Sequence, residues 1–449
     1  MKLLPLKKNW RMKFRLLIVL LLFGFCEKVA AQELVTLEQA IALALEENYD
    51  VQLAQNLALA GRTDKKYSIG VLLPQINGVA ATSWTTNDQD FKFADETRNV
   101  SGEAKSNNAN ASLQAVWTLF DGTRMFATRE RLDQIAAQGE LSVKDQMVNS
   151  IATVIVNYYN IVRQKQQLKA ILELMSVNEE RVKLAERKLD VGIGARPELL
   201  QAKVDLNAQR TLAIQQETLI EQLKDQLNGL VGLKLPARFD VADTILIDLT
   251  LSEADITQDI ENNNYQLRAA EKSIDIAGLI LHENRASRFP VINFNGAYSY
   301  SKTNNTKLIN PFASLESRID GFTYGFSMTL PIMNGFNVNR NIQQARINVR
   351  RQELLYSQQK QAVDVGVRNA FVDYNNTRRI LEVEEENITL ARENVSIALE
   401  MQKRGVSTFL ELRAAQQSLE EAYNRLIAAR FNAKVAETEL LRLNGSLLK

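Results

Sequence analysis

The sequence predicts a mainly α-helical protein with a smaller β portion, built from a unit that occurs twice. Two proline-free segments carry residues for a coiled coil, with apolar side chains every seven positions. Residue types recur at an offset of 213 positions, which indicates a tandem duplication. Four short segments alternate between apolar and small polar residues, as β-strands do. The predicted fold therefore combines duplicated long coiled-coil helices with four strands per chain.

The apolar heptads of the two halves correspond position by position. The first series matches residues 213 positions later: Val154, Ile161, Leu168, Met175, Val182 and Leu189 over Val367, Tyr374, Leu381, Ile388, Val395 and Gln402. A second series does the same: Leu206, Ala213, Ile220 and Leu227 over Leu419, Leu426, Ala433 and Leu440. Helical side chains seven apart lie on nearly one face, so we expect each series to be a buried seam.

Each unit contains one very long helix that turns back into a shorter one. The predicted helices cover 37–68, 122–190, 197–227, 256–288, 335–404 and 409–443. The long helices would each measure roughly 100 Å at ~1.5 Å per residue, and the chain turns at Gly192 and Gly405. Before the long helix, corresponding residues of the two repeats are 216 positions apart. We therefore expect a loop between Asn77 and Leu119 whose length differs from that of its counterpart in the second repeat. At the end of the unit both offsets remain possible.

The N-terminal residues 1–31 predict a secretory signal peptide. A basic segment precedes the apolar run 16–25, and Val29-Ala-Ala31 offers small residues for cleavage. A membrane anchor is the alternative, although the run is short for a span. Cleavage removes Cys26, the sole cysteine, and leaves 54−7 = 47 basic and 53−1 = 52 acidic residues. The two structural repeats are then predicted over 32–235 and 236–449.

The four alternating segments are predicted strands that pair as two hairpins. They cover 76–86, 108–120, 292–300 and 322–332, with polar loops over 87–107 and 303–320. Strands of about ten residues cross a bilayer when tilted, whereas a soluble hairpin packed on the helices is the alternative. Lipid does not tolerate open strand edges, so several copies of the chain must share one transmembrane β-barrel if these strands are in a membrane.

The mature chain resembles the TolC-like outer membrane efflux proteins along nearly its whole length. The resemblance rests on the order helix, hairpin, long helix, glycine turn, helix, given twice, and on the turn Gly405-Val-Ser-Thr-Phe-Leu-Glu411-Leu412. It implies a homotrimer whose strands close a barrel in outer membrane lipid and whose helices form a periplasmic α-barrel. Two departures are Gly194-Ala195 in the first turn and Gln402 with Ser407 where the family carries a tyrosine and an arginine.

The resemblance implies a passive exit duct for efflux or type I secretion, located in the outer membrane and extending into the periplasm. A periplasmic adaptor and an inner-membrane pump would power it. The alternative is a periplasmic coiled-coil structural or adaptor protein without a pore.

The sequence contains no set of residues typical of an active site, so we do not expect an enzyme. HExxH, GxGxxG and P-loop patterns are absent, and the single histidine, His282, lies in a polar helical stretch. We expect no cofactor and no metal. The mature net charge of −5 also argues against a nucleic-acid partner.

The candidate functional residues lie at the two helix turns. Glu198 and Glu411 would place up to six carboxylates around the axis of a trimer, where such a ring favours cations. The alternative for Glu411 is a helix cap, since Thr408 and Glu411 have the spacing of a capping box. Other candidate gate residues are Arg196, Arg404, Arg413 and Asp190, beside the turn glycines Gly192 and Gly405.

Overall fold

The computed structural model describes residues 33–236, 238–310 and 312–448, so the predicted signal peptide lies outside it. The first repeat contains β1 (Glu33–Leu34), α1 (Leu37–Glu47), α2 (Tyr49–Tyr67), β2 (Gln75–Phe91), β3 (Val100–Phe120), α3 (Arg124–Asp190) and α4 (Arg196–Leu230). The second contains β4 (Phe239–Asp240), α5 (Glu253–Thr257), α6 (Ile260–Asn263), α7 (Tyr265–Ala286), β5 (Val291–Lys307), β6 (Glu316–Thr329), α8 (Asn337–Lys403) and α9 (Phe409–Leu443). The long helices and their returns thus agree with the predicted ones within a few residues.

Three of the four predicted seams are buried. All members of the series in α4, α8 and α9 are buried, from Leu206 to Leu227, from Val367 to Gln402 and from Leu419 to Leu440. The series in α3 is different, because Leu168, Met175, Val182 and Leu189 are only half-buried. The buried heptad of this part of α3 is Ile171, Leu174, Asn178, Arg181 and Ala185. Within a single chain, the predicted seam in this part of α3 is therefore only half-buried, and another face of the helix makes the buried contact.

The predicted helices 37–68 and 256–288 are each interrupted at an asparagine, so the prediction of single helices was wrong. Asn48 separates α1 from α2, and its side-chain amide donates to the carbonyl of Leu230 (2.9 Å). Asn264 precedes α7 and donates to the carbonyl of Leu443 (2.9 Å). Each asparagine satisfies an orphan carbonyl at the end of a distant helix, which local propensity cannot reveal.

The ends of the two repeats correspond at the offset of 213. Gly232 and Gly445 both have a positive φ, of 68° and 69°. A Cβ on Gly232 would lie 2.9 Å from the carbonyl oxygen of Glu47, and one on Gly445 would lie 2.5 Å from that of Asn263. Each glycine thus ends a helix and packs against the segment that precedes α2 or α7. The end of the repeat therefore follows the offset of 213 rather than 216.

The four long strands form one antiparallel sheet in the order β2-β3-β5-β6, with β2 and β6 at its edges. Strands β2 and β5 begin and end at positions 216 apart, while β3 has 21 residues and β6 only 14. The strands are longer than predicted, and both hairpin loops have the same length, over 92–99 and 308–315. The predicted difference in loop length was therefore wrong, because the difference lies in the second strand of each hairpin.

The sheet has one apolar face and one face of small polar residues. The apolar face includes Phe322, Tyr324, Phe326 and Met328, which are all more than 60% exposed. Directly paired residues share a face, so Phe294 lies beside Phe326 and Tyr298 beside Phe322. The other face carries Asn293, Asn295, Ser299 and Ser327 among others.

The chain folds into two compact units, each with its own core. One unit contains 33–48, Thr153–Asp248 and Thr377–Val435, and its core includes Leu174, Leu381, Leu412 and Leu419. The other contains Tyr49–Ala152, Leu249–Asn376 and the C-terminal segment from Ala436, with a core that includes Leu267, Tyr374 and Leu440. The repeat boundaries 32–235 and 236–449 follow sequence similarity and stay a prediction.

Candidate functional site at the helix turns

Both predicted turns lie in the first unit and end a long helix with a glycine in the left-handed conformation. Gly192 has φ +79° and Gly405 has φ +75°. After α3, the amide of Gly194 donates to the carbonyl of Lys188 (2.8 Å), and after α8 the amide of Val406 donates to Met401 (3.0 Å). These bonds satisfy carbonyls that a helix end leaves free, so the glycines stop the helices as predicted.

Gly194 has a further constraint that Ser407, its counterpart in the second turn, does not share. A Cβ on Gly194 would lie 2.7 Å from the amide nitrogen of Leu189 and 2.9 Å from the Lys188 Cβ. The first turn therefore passes too close to the end of α3 for any side chain. This close approach explains why the first turn departs from the hydroxyl-containing pattern of the second.

Glu411 is a helix cap in this structure. The Glu411 amide donates to the Thr408 hydroxyl (3.4 Å), and the Glu411 carboxylate accepts from the Thr408 amide (3.2 Å) and the Ser407 hydroxyl (2.6 Å). These donors, the Ser407 hydroxyl first, lower the pKa of Glu411. In the first turn Ala195 has no polar side chain, and Pro197 stands near the start of α4 with Glu198 in its first turn. The two predicted acids therefore have different local roles.

The remaining predicted residues are distributed around these turns. Asp190 is the last residue of α3, Arg196 is the first of α4, and Arg404 follows the end of α8. Two ion pairs near the turns in sequence join other residues, Lys203 with Glu186 (2.9 Å) and Lys403 with Glu400 (2.9 Å).

The structure adds a buried cation that the sequence did not single out. The Arg181 side chain is only 3% exposed and donates to the side-chain oxygens of Asn178 (2.9 Å), Gln416 (3.0 Å) and Asp205 (3.2 Å). Its guanidinium carbon lies 4.5 Å from the centre of the Phe409 ring, at the start of α9. Burial lowers the pKa of Arg181, and the charge of Asp205 opposes this shift. Arg181 thus links α3 to both return helices.

A polar cavity of about 430 Å³ adjoins Arg181. Its lining includes Arg413, Gln209, Glu420 and Glu421, so Arg413 of the predicted set lies here. The Arg181 Nε and the Gln209 Oε1 are buried without a protein partner in the described residues. A space of this size with polar walls suits water molecules that would satisfy both atoms.

A second polar link connects α3 to α8 and α9. The Tyr423 hydroxyl donates to the Glu173 carboxylate and accepts from Arg392 Nε (2.9 Å) and Nη2 (2.7 Å). Burial and the neighbouring Glu173 raise the pKa of Tyr423 to about 12. The tyrosine stays protonated at neutral pH, so its hydroxyl can bridge the acid and the guanidinium.

Residues 33–236, 238–310 and 312–448 contain no group of three or more His, Cys, Asp or Glu side chains placed to hold a metal ion. Across the same described ranges, none of the helices is both long and apolar enough to cross a membrane.

A sheet with an exposed apolar face, joined to long coiled coils that occur twice, defines an outer membrane channel with a helical tunnel. The profile of the family described as "Outer membrane efflux protein" matches residues 40–233 and 256–446. The chain belongs to this family. It is similar to protein CyaE of Bordetella pertussis, with 24% identity over 77% of this chain and 72% of CyaE. It is also similar to the outer membrane protein TolC of Escherichia coli K12, with 22% identity over 84% and 78%.

Solved structures show the same fold. The CusC channel superimposes with a TM-score of 0.76 at 19% identity, over 91% of this chain and 92% of CusC. The CmeC outer membrane channel of Campylobacter jejuni gives a TM-score of 0.76 at 16% identity, over 91% and 85%. The predicted TolC-like resemblance and fold class are confirmed.

The protein is therefore an exit duct of the cell outer membrane, as the sequence predicted. Family membership favours this function over a periplasmic adaptor without a pore. The family consists of outer membrane channels rather than enzymes, which is consistent with the prediction of a non-enzyme.

Proposed function

We propose that three copies of the chain form one passive, non-enzymatic duct, driven by an inner-membrane pump through a periplasmic adaptor. The observation that carries the assembly is the sheet, whose edge strands β2 and β6 are both open in a single chain. Lipid does not tolerate strand edges whose backbone groups are unpaired, and four strands are too few to close a barrel. Three chains would supply twelve strands, an even number within the range of bacterial barrels.

The helices support the same assembly. Val383, Leu390 and Ile397 recur every seven residues on α8 and are 57%, 58% and 52% exposed. An exposed apolar heptad is a seam without its partner helix. The half-buried Leu168, Met175 and Val182 on α3 form another such stripe. Neighbouring copies of the chain would bury both stripes in a closed wall of helices.

The assembly is tested by replacing a residue of the exposed seam. We expect Leu390→Glu to weaken the trimer, and Thr389→Glu, which adds the same charge at the adjacent exposed position, to leave it intact. Light scattering in detergent measures the mass of each. A folded wild-type protein that is monomeric would contradict the proposed assembly.

The turn region supports a constriction and a docking point for the adaptor. Val191, Ile193, Val406 and Leu410 are each about 70–80% exposed, which suits burial against another protein. The named relatives include a "Probable efflux pump outer membrane protein TtgC" and a "Cation efflux system protein CusC", which supports a duct that works with a pump.

Glu198 and Glu411 would set the charge of the constriction, with Asp190 as the next acid. Glu198→Gln with Glu411→Gln should lower cation preference, measured as reversal potential across a salt gradient, while the cap at Glu411 persists because glutamine can accept the same bonds. Arg404→Ala with Arg413→Ala should raise single-channel conductance if these residues and Arg196 latch the turns. Unchanged selectivity and conductance would remove the four substituted residues from the gate and leave Asp190 as the next candidate.

A further inference from the structure

The apolar face of the sheet ends in charged residues on the side of the hairpin loops. Along β5 and β6 this face is apolar from Ile292 and Met328 to Tyr300 and Phe322. The span from Ile292 to Tyr300 is nine residues, about the length that crosses the hydrocarbon core in tilted strands. Lys302 follows Tyr300 on the same face, about 7 Å further along the strand.

The strand register places like charges directly opposite each other on this face. Lys302 pairs with Arg318 across β5 and β6, an arrangement that destabilises a sheet unless an anion lies between the two side chains. Glu316 contacts both, with its Oε1 3.5 Å from Lys302 Nζ and 3.3 Å from Arg318 Nη2. Asp320, on the membrane side of Arg318, lies 3.5 Å from the Tyr298 hydroxyl.

A second like-charge pair stands further toward the loops. Lys105 pairs with Lys307 across β3 and β5, and Glu103 lies 2.7 Å from Lys105 Nζ and 3.9 Å from Lys307 Nζ. The same arrangement thus occurs twice, with one glutamate in contact with two cations each time, and with a second acid on the same face, Asp320 or Asp88. The register therefore places two pairs of like-charged cations beyond the aromatic residues, each among acids of the same face.

We propose that Lys302 and Arg318 bind the phosphate of a lipid headgroup in the outer leaflet. The inference rests on the proposed function, because periplasmic helices place the hairpin loops outside the cell. Tyr298 and Tyr300 mark the membrane interface, so the next residues of the same face lie at headgroup depth. An ammonium and a guanidinium converging on one phosphate form strong, charge-assisted hydrogen bonds. The bound phosphate would add a second bridge between the two cations, beside the one that Glu316 makes.

The register also excludes the lumen as the location of this pair. Residues of β5 that face the polar side are Asn293, Asn295 and Ser299, an odd-numbered series. Lys302 belongs to the even-numbered series of Phe294, Tyr298 and Tyr300 up to this point, and its partner Arg318 is in step with Phe322. Removing the two charges should therefore change lipid binding and leave ion selectivity unaltered.

The test is the affinity of the purified, detergent-solubilised protein for phosphatidic acid, measured by native mass spectrometry. We expect Lys302→Gln with Arg318→Gln to bind it about 30-fold more weakly than the wild type. The charge-conserving Lys302→Arg with Arg318→Lys should retain binding. The control Lys272→Gln with Arg350→Gln should also retain it, since it removes two helical cations that each pair with a nearby acid.

Three binding results would each overturn the inference. The first is equal affinity of the wild type and the glutamine variant for phosphatidic acid. The second is that diacylglycerol, which lacks the phosphate, binds as tightly as phosphatidic acid. The third is that inorganic phosphate binds as tightly, which would make this a site for a free anion. A shifted reversal potential in the glutamine variant would place the cations in the lumen and also refute it. Conductance measured on the same samples separates the two proposals. A conducting trimer without phosphatidic acid preference contradicts only the lipid site, and lipid binding by a chain that forms no pore contradicts only the duct.

Discussion

Removing the acid beside Arg181 should destabilise the helices around it. In Asp205→Asn the guanidinium stays buried, with its side chain 3% exposed, but loses the charge that balances it at 3.2 Å. Breaking a buried ion pair from one side costs about 3–5 kcal/mol. Asn178 and Gln416 still accept from Arg181, and asparagine keeps one acceptor oxygen. We therefore expect a loss at or just below the lower end of this range, about 2–3 kcal/mol.

The loss should be largely reversed when the stranded charge is removed. Arg181→Met added to Asp205→Asn replaces the cation with an apolar side chain of similar length, and such replacements are often neutral. A reversal of this kind would separate the burial of an uncompensated charge from a general defect at position 205.

Native-state hydrogen exchange of the α4 and α9 amides measures this difference as a change in opening free energy. Lys203→Gln, in the same helix as Asp205, is the control, because it breaks an exposed pair with Glu186 of α3 and should change stability by no more than about 1 kcal/mol. If the α4 and α9 amides have the same opening free energy in Asp205→Asn as in the control, the charge balance at Arg181 does not stabilise the turn region.

Three further changes test the fold itself. Asn264→Ala removes the cap of α7 and leaves the carbonyl of Leu443 unsatisfied, so the thermal midpoint should fall with a loss of about 2–4 kcal/mol. Gly122→Ala should lower the free energy of unfolding by at least about 2 kcal/mol, because φ is +75° and a Cβ would lie 2.5 Å from a backbone oxygen of α7. Its control is Gly229→Ala, in a helix where a Cβ meets open space, which should be neutral or stabilising. Denaturant unfolding measures both. Burial raises the pKa of Asp145, so wild-type stability should fall as pH rises from the unfolded to the folded pKa, and Asp145→Asn should abolish this slope in unfolding measured against pH.

Much of the helical architecture could be predicted because its signals are local. Long proline-free heptads and the glycines at 192 and 405 fix where the long helices begin and turn. The breaks at Asn48 and Asn264 could not be predicted, since each depends on a carbonyl about 180 residues away. The strand ends beyond Thr86 and Tyr300 were also missed, because their charged and amide residues lose the alternation that marks a strand.

The candidate site was predictable only in part. The capping spacing of Thr408 and Glu411 identified a real cap, because that interaction is local. Arg181 has no such signal, since an arginine on a charged helix usually faces solvent. Its burial depends on Asp205 and Gln416, which come from two other helices. Sequence spacing around α3 alone could not bring these residues together.

The pairing of β3 with β5 also dictates an order of assembly. Leu113 and its partner Tyr298 stand 185 positions apart, with both helices of the first coiled coil between them. Until the second repeat is synthesised and exported, β2 and β3 form only a two-stranded ribbon, which is marginally stable in water. Closing such a long loop is slow, so insertion into the bilayer must be one of the last events in the life of a newly made chain. A nascent chain that stalls after the first repeat has only β2 and β3, and β3 lacks β5, the strand with which it pairs.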